Sequence, residues 1–174
     1  MKLTRRVVTG HNTDGRSVVI SDGPVSSVGS DLGQIIAWAT DTVPAAAARP
    51  EDVDSGDALH EPPRTGVKIF YVEIPPDGGS LTHTEKEAIA REMFAALGKG
   101  FVQVDTSRHP FMHVTPTIDC VIILTGEVSL LVDEGDPVPL QPFDIVVQQG
   151  TNHAWVNTGT EPALFVAIMA AKNP

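Results

Sequence analysis

The chain has 174 residues, 12 Lys and Arg against 22 Asp and Glu, and a net charge of −10. That length suits one well-filled domain, and the acidity excludes a phosphate-backbone partner, which needs clustered cationic side chains. A single cysteine, Cys120, excludes an internal disulfide, and no apolar run reaches the length of a membrane span or a secretion signal, so the expected setting is cytoplasmic, with no membrane and no nucleic acid.

In chain order, Arg5–Thr9 and Arg16–Ser21 read as β-branched strands around a turn at Asp14-Gly15. A third strand with Trp38 is expected from Leu32 to Ala39. Residues 40–63 carry four prolines, an alanine run and several acids, and read as a surface loop. Val67–Ile74 is a strand closed by Pro75-Pro-Asp-Gly-Gly79. One helix follows over about 82–99. Thr82 or Thr84 opens it through a capping box with Glu85 or Glu87, Ile89, Met93, Phe94 and Leu97 mark its apolar face, and Gly98 and Gly100 end it.

From Phe101 onward short strands recur at close spacing, at Met112–Val114, Ile118–Leu124, Glu127–Val132, Val138–Leu140, Ile145–Gln148, His153–Asn157 and Leu164–Met169. This pattern indicates an all-β sandwich or barrel. Cys120 falls inside an apolar strand, where a buried inert thiol is expected rather than a nucleophile.

Two segments carry the chemistry. Because strand side chains alternate faces, His113, Thr115 and Asp119 share one face if parity holds through Pro116, as do His153, Trp155 and Asn157. If both faces point into one barrel, His113, Asp119 and His153 converge, and two imidazoles with a carboxylate suit Fe(II), Mn, Ni, Co or Zn. Each has a plainer reading: a hydrogen-bonded core histidine for His113 and His153, and a hydroxyl-bonded carboxylate for Asp119, with Thr115 as its partner. His109 is a residue of the pocket mouth or a bystander. Trp155 lines the pocket or fills the core. Tyr71 and Glu73 share a face, and with Thr115 they are the candidates for a catalytic acid or base if that face is interior.

These segments resemble the two motifs of the cupin superfamily, specifically its small single-domain members, over residues 66–170. His113 stands at the first histidine of the first motif, Thr115 in place of the second, Asp119 where a glutamate belongs, and Gly126 at the closing glycine. Gly150, His153 and Asn157 match the second motif, with Gln148 in place of its proline and Phe143 where a turn glycine is usual. The resemblance implies a double-stranded β-helix (jelly-roll) barrel at 66–174, with residues 1–65 as bracing strands and loop in one structural domain. It also implies a metal-dependent dioxygenase, lyase, isomerase or decarboxylase acting on a small organic molecule, and the apolar lining points to an aromatic or polyketide-like one. The alternative is a metal-free barrel that binds or senses a small ligand, supported by the loss of the second histidine. Pairing of cupins of this size, together with the apolar runs at Val7-Val8 and Val18–Ile20, leads to the expectation of a homodimer.

Overall fold

The computed structural model describes residues 5–25, 30–45, 62–79 and 81–172. Strands β1 (Arg5–His11) and β2 (Ser17–Pro24) form an antiparallel hairpin. Its turn is closed by the Asn12 side chain, whose Oδ1 accepts the amides of Asp14 and Arg16 at 3.0 and 2.9 Å. Strand β3 (Gln34–Thr40) follows a 3-10 turn at Ser30–Leu32, so it begins two residues later than the apolar pattern suggests. An Arg6 N–H donates to the Ala37 carbonyl at 3.2 Å and ties the hairpin to β3.

Strand β4 (Val67–Ile74) leads into helix α1 (His83–Leu97), and the rest of the chain supplies β5 (Thr117–Thr125), β6 (Val128–Val132), β7 (Val138–Leu140), β8 (Ile145–Gln148), β9 (His153–Asn157) and β10 (Ala163–Ala171). Among the described residues one sheet runs β3-β4-β10-β5-β8 and the other β7-β6-β9, each pairing antiparallel. Phe70, Val121, Ile123, Val128 and Phe165 meet between the sheets as the core. Each large side chain buried there contributes about 2 to 3 kcal/mol.

Strand periodicity decides what faces this interior. On β5, Thr117, Asp119, Val121 and Ile123 are buried, which turns Ile118, Cys120 and Ile122 outward, so Cys120 is half-exposed rather than buried. On β4, Phe70, Val72 and Ile74 belong to the core, so Tyr71 and Glu73 take the opposite side of the sheet. The two segment glycines hold positions no other residue fits. A Cβ on Gly126 (φ 87°) would stand 2.5 Å from the Ala163 Cβ, and one on Gly150 (φ 68°) 2.7 Å from the Thr115 carbonyl oxygen.

Two further local expectations are corrected, and a third lies mostly outside the described residues. Met112–Val114 forms no ladder, only the single pairs Val102–Val114 and His113–His153, because Pro110 and Pro116 limit the segment to a few hydrogen-bonding residues. Helix α1 buries Ala90, Phe94 and Leu97, whereas Ile89 is exposed at the cavity mouth. The loop expected over 40–63 falls mostly on residues 46–61, outside the described residues. The helix start is as read from Thr82: its hydroxyl accepts the Glu85 amide, and Glu85 accepts the Thr82 amide at 2.7 Å.

Candidate functional site

A cavity of about 830 Å³ opens between the two sheets beneath α1. Its polar end is built around one backbone pair. The His113 amide donates to the His153 carbonyl at 2.9 Å and the His153 amide returns to His113 at 3.0 Å. This exchange brings the two imidazole centroids to 4.4 Å, and both rings line the cavity.

Each ring is oriented by its own chain. His113 Nδ1 lies 3.0 Å from the Phe111 carbonyl and His153 Nδ1 3.0 Å from the Thr151 carbonyl. A carbonyl only accepts, so both Nδ1 atoms carry the proton and each Nε2 presents a lone pair. Burial, then the neighbouring His153, push the His113 pKa down to about 3, and burial pushes His153 down to about 4. Both rings are therefore neutral at pH 7.

Asp119 lines the same cavity from β5. Thr115 Oγ1 donates to its Oδ2 at 3.4 Å, while Oδ1 is buried without a partner. Burial, opposed by the neighbouring Thr117 and Thr115 hydroxyls, raises its pKa to about 6. The histidine pair and the acid thus share one chamber. Among the described residues, however, no three His, Cys, Asp or Glu side chains stand close enough to hold one ion.

The cavity walls are aromatic. Phe94 of α1 packs on His113 with centroids 4.7 Å apart, and Trp155 sets its edge against His153 at 5.5 Å while contacting Phe165 at 5.3 Å. Trp155, Thr115 and His109 also line the cavity. His109 Nδ1 accepts the Phe111 amide at 3.3 Å, which leaves Nε2–H to donate to Asp77 at 3.1 Å. Lys86 of α1 reaches the other Asp77 oxygen at 2.8 Å. This cluster ties the helix to the end of β4.

Tyr71 does not line the cavity. Glu73 touches it beside Gly33, whose carbonyl accepts the Glu73 amide at 2.8 Å, but its side chain belongs to the outer side of β4. The inward parity of Phe70, Val72 and Ile74 therefore removes both as interior acid or base. Asn157 secures the turn after β9: its amide donates to Ile74 and Glu161 carbonyls at 2.9 and 2.8 Å and its Oδ1 accepts from Gly159 at 2.9 Å. The sequence pattern does not assign Asp77, Lys86 or Phe94 to the cavity, although it marks Phe94 as part of the helix's apolar face. They sit in a turn, a capping box and an apolar stripe, none of which marks them for a cavity.

Two antiparallel sheets enclosing a chamber with an inward histidine pair define a double-stranded β-helix barrel. Residues 100–169 match the family model described as a cupin domain, which covers the strands that carry His113, Asp119 and His153. It is 28% identical over 182 residues to phomopsin biosynthesis cluster proteins C′ and D of Diaporthe leptostromiformis, covering 98% of this chain and 80% of each relative. It is 34% identical over 73 residues to oryzines biosynthesis cluster protein J of Aspergillus oryzae, covering 40% of this chain and 41% of that protein. Among solved structures, an RmlC-like cupin family protein with a double-stranded β-helix fold from Methanocaldococcus jannaschii aligns at 14% identity, over 60% of this chain and 70% of that one, with a TM-score of 0.39.

Proposed function

We propose that this cupin takes a small, largely apolar organic molecule into the barrel and acts on it at a divalent transition metal ion (Fe, Mn, Ni, Co or Zn) held by His113 and His153. The observation that carries this reading is the pair of neutral imidazoles, each with Nδ1–H fixed on a carbonyl and Nε2 left to the chamber. Fixing the outer nitrogen on an acceptor is how proteins orient metal-binding histidines. Asp119, with one buried oxygen unpartnered, lines the same chamber as the acidic group beside the pair. When bound, such an ion supplies a Lewis acid, or a dioxygen-binding centre if it is iron.

The chain's own residues do the rest. Trp155, Phe165 and Phe94 hold the apolar body of the substrate, and Thr115 orients the Asp119 carboxyl, which gives or takes the proton at its free Oδ1. Helix α1 covers the chamber and excludes water while its Lys86–Asp77 tie is closed. The reaction class is that of a dioxygenase, lyase, isomerase or decarboxylase. The names of the relatives place them in biosynthesis clusters, which supports a biosynthetic role for this chain too.

Elemental analysis tests the metal. Protein reconstituted with Fe(II), Mn, Ni, Co or Zn and freed of excess should retain about one ion of one of these metals per chain. His113→Ala and His153→Ala should each lose it. Equal metal content in wild type and both variants, or none in the wild type with any of the five, overturns the proposal.

A second reading is a metal-free barrel that binds or senses its ligand. It is favoured by the absence, among the described residues, of three ionisable side chains gathered at one point. Under it, thermal stabilisation by a ligand found in a fragment screen persists in EDTA. Under the first reading, that stabilisation disappears with the metal.

A further inference from the structure

One polar side chain in the chamber wall has a need that the fold does not meet. Gln34 opens β3, lines the cavity and is only 9% exposed. It stands opposite Val72 in the β3–β4 ladder, and Val72 packs on the core, so the Gln34 side chain takes the inner face. Its Oε1 is buried without a hydrogen-bond partner. An orphaned amide oxygen costs stability wherever no donor reaches it, and one that borders a chamber is a place for a ligand's donor.

Gln34 also lies away from the acidic end of the chamber. Along β10, the row of paired residues that holds Gln34 passes through Phe165, and the row that holds Asp119 passes through Met169, four residues or about 13 Å further on. Across the sheet, Gln34 is two strand spacings, about 10 Å, from Phe165. Phe165 contacts Trp155 and Trp155 contacts His153, with centroids 5.3 and 5.5 Å apart. An apolar wall of Val72, Phe165 and Trp155 thus separates the amide from the imidazoles. A molecule that touches both has an apolar body and a polar head at the end remote from the histidines.

The charges around the chamber select the kind of head. Asp31, Asp77 and Glu92 border the cavity, and Lys86, the only lysine or arginine lining it among the described residues, is paired with Asp77 at 2.8 Å. A carboxylate or phosphate has no free cation to meet there. An ammonium group loses hydration against the apolar wall and sets a positive charge against the glutamine N–H groups. A neutral carboxamide meets neither objection. One of its N–H groups donates to Gln34 Oε1 while its carbonyl accepts from Gln34 Nε2, the two-bond edge that a glutamine amide is built to make. The terminal torsion of glutamine is soft, so the amide turns to meet its partner.

We propose that Gln34 is a specificity residue of the chamber and reads a primary carboxamide at the end of an apolar ligand. The proposal rests on the reading that the barrel takes up a small organic molecule, and not on the metal. Isothermal titration in EDTA with four probes of one shape tests it: 2-naphthamide, methyl 2-naphthoate, 2-naphthoate and 2-naphthylmethylammonium. The wild type should bind the amide about tenfold more tightly than the ester, which accepts but cannot donate, and more tightly than either ion. Gln34→Met keeps the length of the side chain and should bring amide and ester to equal affinity. In ligand-free protein this variant should leave Tm unchanged or raise it, because it removes the orphaned oxygen. Equal amide and ester affinity in the wild type overturns the inference while uptake of an apolar molecule stands. Preference for either ion, or no binding of the amide, overturns it as well. So does a Tm lowered by Gln34→Met, which would make the amide part of the fold. Metal content of the His113 and His153 variants is measured separately, so the metal reading and this one fail independently.

Discussion

The buried charges of the chamber predict how stability changes with pH, and substitutions read each contribution separately. In metal-free protein, Asp119 keeps its proton to about pH 6 in the fold but only to 3.8 in the open chain. Between those values the folded state holds one extra proton, so this group removes stability as pH rises, and the loss is complete above pH 6. His113 and His153 act in the opposite sense. They stay neutral in the fold down to about 3 and 4, whereas the open chain protonates them below 6.5, so their contribution is fully present above 6.5 and lost as pH falls toward 4.

Near pH 5 the three groups therefore sum to one net proton bound more tightly by the unfolded state, and stability rises by about 1.4 kcal/mol per pH unit. Asp119→Asn leaves both histidines and should steepen the slope to about 2.5 kcal/mol per unit. His153→Gln leaves one histidine against one acid, and the slope from these groups should fall near zero. His109, also pushed down by burial, contributes alike to all three proteins and cancels in the differences. Urea denaturation at several pH values between 4.5 and 5.5, in EDTA, measures the slopes. An Asp119→Asn slope indistinguishable from wild type refutes the reasoning, because Asp119 would then be ionised in the fold.

Further substitutions probe the frame around the chamber. Asn157→Ala strands two carbonyls and one amide in a fully buried position, and should cost about 2 to 4 kcal/mol in urea denaturation; a loss below about 1 kcal/mol would mean that water replaces the side chain. Gly126→Ala drives a methyl into Ala163 at a positive φ and should cost more than about 2 kcal/mol, with a lower Tm as its readout. Thr82→Ala breaks the capping box and should remove about 1 kcal/mol. Hydrogen exchange should then quicken in the first turn of α1 before it does in β5, and uniform exchange would show that the helix opens only with the whole domain.

The motif glycines and the helix start were legible because each does a local job that its neighbours specify. Gly126 and Gly150 stand where a Cβ would strike Ala163 or the Thr115 carbonyl, and Thr82 with Glu85 spells a helix start within four positions. The outward turn of Cys120 was not legible, nor was the interior loss of Tyr71 and Glu73. A strand's alternation gives two faces but not which one is covered, and that phase is set by the register of β4 against β10 and of β10 against β5. Ile89 was misassigned for a related reason, since a helical stripe four residues wide leaves its centre line undetermined until something packs on it.

By itself, the order of side chains determined an all-β barrel with one capped helix and two histidines at matching positions in separate strands. These features depend on turn chemistry, alternation and capping, which act over a few residues. Only the tertiary structure decided that the two imidazoles meet 4.4 Å apart, that Asp119 shares their chamber with an unpartnered oxygen, and that Asp77 draws Lys86 and His109 together at its mouth. Those contacts join segments separated by 9 to 40 positions, and their distances follow from sheet pairing and the seating of α1 rather than from any local preference.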